Sequence, residues 1–379
     1  MQTFSIKPYA MPDSAPALRE KVRALVAEHE HRFEPARRAN CWVTPDPEFS
    51  RALGQAGLLG MGWSKEYGGH EMSALERYVV LEELLAAAAP VGAHWIADRQ
   101  TAPLLLRYGT EEQRRRWVPG IAAGEVYACI GLSEPGAGSD LASVRSNARR
   151  DGDRWVLNGQ KVWTTGAHIS HIMIGLFRSE AGSERQTGLS QFLIPLDTPG
   201  VTVKPIIDLT GSHDFNEVWF DDVRLPADAL VGTEGEGWKQ ATAELSLERS
   251  GPERYLTSQI LLTEFVRRLE GGADAGQLRL VGRLVSELSA LRQMSMAVAA
   301  RLAGGEDPAL EAVMVKDLGN SFEQAIPQAI AQAIELDLSA DDALELLVAY
   351  SMQVAPSFSL RGGTREIVRG IVARGLGLR

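Results

Sequence analysis

The chain changes its hydrophobic period twice, and that alternation restricts its architecture more than any other feature. From about Ala15 to Glu125 apolar residues recur at helical spacing, as in Leu18, Val22, Leu25 and Val26, with few turn signals between them. Between Tyr127 and Gly237 the pattern becomes short β-rich runs divided by glycine, proline and aspartate. Trp155-Val156-Leu157, Gln191-Phe192-Leu193-Ile194, Val201-Thr202-Val203 and Val218-Trp219-Phe220 read as strands, and Asn158-Gly159 reads as a hairpin turn into Val162-Trp163-Thr164. After Gly237 the helical period returns through Leu245, Leu256, Ile260 and Leu261, then over 278–302 and 309–334. The expected fold class is α+β: an N-terminal α-helical domain over 1–125, a middle antiparallel β domain over 126–236, and a C-terminal helical bundle over 237–379. A chain of 379 residues, 45% of them hydrophobic, is long enough to bury several cores.

Charge and cysteine content remove several classes of function. Lys and Arg total 39 against 49 acids, a net charge of −10, which disfavours nucleic acid or an anionic membrane as the main partner. The one compact basic run, Arg114-Arg115-Arg116, reads as a solvated helix face. Cys41 and Cys129 are too few for a disulfide framework or a thiolate metal site, which points to a reducing cytoplasm. His29 and His31, two apart, do not share a helix face, so no metal site is expected. Neither a signal-peptide pattern nor a run of about 18 uninterrupted apolar residues occurs, so neither export nor membrane spanning is expected.

The segment Gly131-Leu132-Ser133-Glu134-Pro135-Gly136-Ala137-Gly138-Ser139-Asp140, followed by Trp163-Thr164-Thr165, has the make-up of a pocket for a planar, hydrogen-bonding ring. Gly136 and Gly138 allow close backbone approach, Ser133, Ser139 and Thr165 supply polar tips, and Trp163 supplies a flat face. A dinucleotide-binding loop is excluded, because Gly136-Ala137-Gly138 lies inside the β region without a strand-turn-helix unit around it.

This stretch resembles the flavin-binding signature of the acyl-CoA dehydrogenase family. Leu106-Arg107-Tyr108-Gly109-Thr110-Glu111-Glu112-Gln113, Trp117-Val118-Pro119-Gly120, Asn158-Gly159-Gln160-Lys161, Phe220-Asp221-Asp222-Val223-Arg224-Leu225-Pro226 and Gly363-Thr364-Arg365-Glu366-Ile367 fall in that family's order. The resemblance implies a fold of N-terminal helices, a middle β barrel and a C-terminal four-helix bundle, and an FAD-dependent α,β-desaturation of an acyl-CoA thioester, with electrons passed to an electron-transfer flavoprotein. It also implies FAD contacts at Ile130, Leu132, Ser133, Gly138, Ser139, Trp163, Thr165, Thr364 and Glu366, and acyl-CoA contacts at Ser139, Ser246, Arg249 and Gly363.

Two departures from the family pattern carry further expectations. Most members place a glutamate base directly before the terminal Gly-Thr, where this chain has Gly362. A minority carry it on the first long C-terminal helix beside an arginine, which selects Glu248 in Leu245-Ser246-Leu247-Glu248-Arg249 as the catalytic base; a plain helical ion pair is the alternative for this residue. Pro252 should break or kink that helix, because its ring clashes with the carbonyl four residues earlier. The motifs by which homotetrameric members bind the adenosine half of a neighbour's FAD are not visible in the windows 269–276 and 334–342, the second of which carries Glu335, Asp337, Asp341 and Asp342. A homologous partner subunit in an α2β2 assembly, as in bacterial steroid-type members, would account for the missing half; a homomer with a divergent adenosine site is the alternative. A non-catalytic structural subunit and an acyl-CoA oxidase are the alternative readings.

Overall fold

A computed structural model of the protein describes residues 9–247, 249–336 and 342–378, with 243–247 described by backbone only. Helices α1 (Ala15–His29), α2 (Pro47–Gln55), α3 (Ala74–Ala86), α4 (Gly92–Ile96), α5 (Ala102–Tyr108) and α6 (Glu111–Ala122) come first. Strands β1 (Ala128–Gly131), β2 (Asn147–Asp151), β3 (Arg154–Thr165), β4 (Ile172–Arg178), β5 (Leu189–Pro195), β6 (Val201–Ile206) and β7 (Phe215–Pro226) follow. Helices α7 (Gly237–Leu247), α8 (Gln259–Arg268), α9 (Ala275–Ala303), α10 (Ala309–Ile334), α11 (Ala343–Val354) and α12 (Arg365–Gly375) complete the order. Local chemistry sets several of the starts: Ser73 with Glu76, Thr110 with Gln113 and Asp274 with Gln277 each form a capping box that satisfies two otherwise orphaned N–H groups.

The chain forms two compact units, each discontinuous in sequence. One gathers α1, α3 and α8 to α12; the other holds α2, α4 to α6, the whole sheet and most of α7. In the first unit α3 packs on α1 and α9, while α10 packs on α8, α9, α11 and α12. Glu82 and Glu83 of α3 are buried there, and buried carboxylates need partners. Arg19 reaches Glu82 at 2.9 Å, Arg23 reaches Glu83 at 2.7 Å, and Arg292 of α9 reaches Glu82 at 2.5 Å.

In the second unit the strands run in the order β1-β4-β2-β3-β7-β6, with β5 on β4. The pairs β2–β3, β3–β7, β6–β7 and β4–β5 are antiparallel, as the short turns between strand runs led one to expect. β1 lies parallel to β4, since the chain runs through β2 and β3 before returning beside it. The core of the unit is built on Trp155, Phe177, Phe192 and Phe220, whose rings meet edge-on at centroid distances of 5.0 to 6.0 Å.

The Asn158-Gly159 hairpin expected from sequence is absent, because β3 runs unbroken through it. The hairpin turn lies earlier, at Gly152-Asp153 between β2 and β3, where Gly152 has φ +64 and Asp151 pairs with Arg154. Asn158-Gly159 is a bulge: the register with β7 slips between Leu157 and Gly159, and Gly159 has φ +138. A Cβ there would lie 2.2 Å from Ser146 Oγ, so only glycine fits. Asn158 closes the bulge by donating to the Asp222 carboxylate at 3.0 Å and accepting from the Asp222 N–H at 3.0 Å.

Candidate functional site

The loop that follows β1 is shaped from beneath by one carboxylate. Glu134 and Ala137 exchange backbone hydrogen bonds at 2.9 and 3.0 Å, closing a tight Glu-Pro-Gly-Ala turn. The buried Glu134 side chain accepts from Arg145 N at 2.7 Å, Ser146 N at 2.9 Å and Lys161 Nζ at 2.7 Å. Burial alone would push this carboxyl up, but the Lys161 ammonium and the N–H donors outweigh it and hold it below its ordinary value. Lys161 is fully buried, its Nζ 4.9 Å from the Phe177 ring centre, and burial pushes its ammonium down to about 8 against the pull of Glu134. Above this base the turn is open: a Cβ at Gly136 or Gly138 would meet nothing within 4 Å. Ser139 and Gly138 are exposed, Ser133 is half-buried, and Leu132 packs half-buried against Ala137, Val144, Leu176 and Leu189.

β3 brings the tryptophan segment beside this loop. Val162 N donates to Ser133 O at 2.9 Å, so 131–140 and 162–165 form one continuous surface. Trp163 is 61% exposed and stands at φ +59, off the regular strand conformation, where the register between β3 and β7 slips a second time. A non-glycine residue in that region is strained unless its surroundings hold it. The hold comes from Asn216, which donates to Thr164 O at 3.0 Å and accepts at Oδ1 from His213 Nε2 at 2.7 Å. His213 stacks on His168 at 3.8 Å, and Phe215 meets the Trp163 ring edge-on at 6.0 Å. Thr165 is half-buried in the last pair of β3 with Phe215, and Ile130 is half-buried opposite Ile174.

The remaining candidate residues lie in the other unit. Thr364 caps α12 by accepting from Ile367 N at 3.4 Å, and Glu366, exposed in the first helical turn, is held below its ordinary carboxyl value by backbone and Thr364 hydrogen bonds. Before the cap come Gly362 at φ +70 and Gly363 at φ +98, a left-handed pair that favours glycine. Lys316 of α10, fully buried, donates to Gly363 O at 2.6 Å. Burial first, then the charges of Arg254, Arg361 and Arg249, push its ammonium down to about 7. Arg361 pairs with the buried Glu323 at 2.9 Å and lies over the rings of Trp42 and Phe358 at 4.6 and 4.4 Å. Burial pushes the Glu323 carboxyl up against the pull of that arginine.

Glu248 lies outside the described residues, as does the side chain of Ser246. The helix break expected at Pro252 is present: α7 ends at Leu247, Gly251 is extended, and Pro252 opens a short 3₁₀ turn to Arg254. Arg249 is half-buried just beyond the end of α7. Of the acidic window 334–342, Asp337 and Asp341 also lie outside the described residues. Asp342 caps α11, accepting from Glu345 N at 3.1 Å, and pairs with Arg268 at 3.3 Å. Glu335 is exposed in the left-handed conformation that ends α10.

Sequence reasoning missed Lys161 and Lys316 as shaping residues. Lys161 stood within a quoted motif, but a lysine in an alternating strand reads as solvent-facing, and only its bond to Glu134 reveals the role. Among the described residues no group of three or more His, Cys, Asp or Glu side chains is placed to hold a metal ion, and no helix is long and apolar enough to cross a membrane.

Comparison with known proteins converges on one family. The family model "Acyl-CoA dehydrogenase, N-terminal domain" matches residues 12–125, and "Acyl-CoA dehydrogenase, middle domain" matches residues 129–223. Acyl-CoA dehydrogenase IpdE1 of Mycobacterium tuberculosis is 41% identical over 268 residues, which cover 69% of this chain and 68% of that relative. Among solved structures, the Tcur3481-Tcur3483 steroid ACAD superposes with a TM-score of 0.87 at 26% identity, covering 99% of this chain and 100% of the other. The ChsE4-ChsE5 complex from Mycobacterium tuberculosis gives a TM-score of 0.84 at 28% identity, covering 98% and 100%.

Proposed function

The chain belongs to the acyl-CoA dehydrogenase family, and from that premise we propose that it is an FAD-dependent enzyme that desaturates an acyl-CoA thioester between its α and β carbons. The observation that carries this reading is Trp163, exposed at φ +59 beside the open Gly136–Gly138 backbone. An exposed, conformationally constrained indole next to a turn with free space over two glycines fits a planar ring. Ile130, Leu132, Ser133, Gly138, Ser139, Trp163 and Thr165 therefore suit FAD, and the family resemblance is what proposes Thr364 and Glu366 as FAD contacts. When bound, the flavin supplies the acceptor for the β hydride.

The chain's own part in the chemistry is to take the α proton and orient the thioester. Glu248 is the base under this proposal, because Gly362 offers no side chain at the other position that the family uses. A carboxylate can act as such a base when it is presented to a Cα–H. Arg249, Ser246, Ser139 and Gly363 contact the CoA and acyl groups. Glu134 and Lys161 touch neither ligand; they hold the loop that does.

The acyl group is steroid-derived or similarly bulky, and the assembly is a heteromer with a homologous chain. This part rests on the neighbours, one titled a steroid ACAD and one a two-component complex, and on the absence of the adenosine motifs from 269–276. Acyl-CoA-dependent reduction of an electron-transfer flavoprotein tests the reaction. Reduction of that acceptor is the expected result. No reduction of it or of bound flavin by any acyl-CoA contradicts the reading, and oxygen consumption without an added acceptor would identify an oxidase instead.

A further inference from the structure

Lys316 is a costly residue for the place it occupies. Its side chain is fully buried in α10, and an ammonium taken out of water destabilises a fold unless its bonds compensate. Its partner is a main-chain carbonyl, Gly363 O at 2.6 Å. With its amide turned to satisfy both ends, Asn320 also accepts from Lys316 Nζ at 3.0 Å and donates to Phe358 O at 3.2 Å. These bonds converge on the segment from Phe358 to Gly363 that leads into α12. That segment has a special conformation to keep, with Gly362 at φ +70 and Gly363 at φ +98. Immediately after it Thr364 caps α12, and Arg365 ties the helix back to α10 through Asp317 at 3.3 Å and Ser321 at 2.6 Å.

We propose that Lys316 is a positioning residue: by donating to Gly363 O it holds the Gly362-Gly363 turn in its left-handed form and so sets where Gly363, Thr364 and Glu366 stand. Its bearing on catalysis rests on the preceding reading, in which those three residues meet acyl-CoA and FAD. The charged groups around Lys316 make this hold sensitive to pH. Arg249 and Arg254 act on it from the segment after α7, Arg361 from the turn itself and Asp317 from its own helix, while Glu253 pairs with Arg254, Glu323 with Arg361, and Arg365 and Arg369 of α12 with Asp317. The ammonium, pushed down to about 7 from 10.5, is charged below that value and neutral above it. Because that value lies below 10.5, an opened, solvated lysine takes up the proton more readily than the one in the closed turn, so the hold is weakest below about pH 7 and strengthens as pH rises from there toward 10.5.

The experiment is hydrogen exchange on the peptide spanning 361–368 in the full-length protein, purified with its flavin and partner chain, for the parent, Lys316→Met and Lys316→Gln. The same samples give the pH dependence of kcat/KM for an acyl-CoA. In the parent, protection of the first turn of α12, with the intrinsic exchange rate divided out, should rise across pH 7. Lys316→Met should exchange about tenfold faster at about pH 8, the loss expected for one buried hydrogen bond, while melting no lower than the parent at about pH 6, where the buried ammonium is charged. Lys316→Gln keeps a neutral donor, so its protection should be intermediate and show no step near pH 7, and its kcat/KM profile should lose any limb there. Parent-like protection in Lys316→Met at both ends of the pH range overturns the proposal. If that variant does not fold, a step near pH 7 retained in Lys316→Gln overturns it equally. A parent that turns over no acyl-CoA refutes the desaturase reading, and the exchange measurement still decides the role of Lys316.

Discussion

Lys161 Nζ lies 2.7 Å from Glu134 Oε1, an ion pair whose lysine side chain meets no solvent and whose carboxylate also takes two backbone N–H groups. It pins the loop after β1 to β3, and through Val162 N and Ser133 O the two edges of the proposed ring site move as one piece.

Breaking that pair should be severe. Glu134→Gln or Lys161→Met leaves a buried charge without its partner, and each is expected to cost about 3–5 kcal/mol of unfolding free energy. Because the Glu134 carboxyl is held below its ordinary value of 4.5, the stability it contributes is present above that value and is lost as pH falls through the lower folded-state value. Denaturant melts of the parent and both variants between neutral and acid pH check this. The expected outcome is an acid-side loss of stability in the parent that Glu134→Gln no longer shows.

Two tryptophans of this unit should behave oppositely. Trp163 is exposed and Trp155 is fully buried. Trp163→Ala should leave the melting temperature near that of the parent but weaken flavin retention by about 1–3 kcal/mol, from the lost aromatic face. Trp155→Ala should destabilise the unit by about 3–5 kcal/mol through the cavity it opens. Flavin content after dialysis, set beside the melting curve, separates the two effects.

Gly362→Glu is not expected to create a working base. A Cβ at 362 would stand 3.1 Å from Arg254 Nη2 and 3.4 Å from Lys316 Cε, so a carboxylate there pairs with those cations. The left-handed φ of +70 adds strain, about 1–2 kcal/mol for a side-chain-bearing residue. In a Glu248→Gln background this change should therefore restore no turnover, and a rate assay on the double variant reports it directly.

Much of this architecture was legible because it follows from periodicity. The change of pattern near Tyr127 and Gly237 marks where helices give way to strands and return, and Pro252 ends its helix for a reason visible in one residue. Asn158-Gly159 misled because the same dipeptide serves a two-residue hairpin turn and a bulge, and only the contact with Ser146 separates them. The parallel pairing of β1 with β4 joins residues more than forty positions apart, such as Ala128 and Ile172, which no local pattern encodes. The proposed ring site rests on glycines, serines and an indole in a known order, and the bond from Val162 N to Ser133 O joins the two segments that carry them. Lys161 and Lys316 were not legible, because their significance lies in burial, and a lysine in a strand or helix reads by default as solvated.

The proposed assembly gives a further outcome to measure. Expressed alone, the chain should retain flavin poorly, and co-expression with a homologous partner should yield an α2β2 complex carrying one FAD per pair of unlike chains. Native mass measurement with flavin quantitation checks this. A homotetramer of this chain holding one tightly bound FAD per subunit would instead place a divergent adenosine site within 269–276 or 334–342.

The most direct measurement is the rate of anaerobic flavin reduction by an acyl-CoA in Glu248→Gln against the parent, with flavin content and acyl-CoA affinity determined on the same samples. With Glu248 as the base, the variant should bind both ligands as the parent does while reduction slows by about a thousandfold or more, since no other described carboxylate is proposed to take the α proton. Reduction within about tenfold of the parent would contradict the assignment, and with it the account of how this chain works without a glutamate at Gly362.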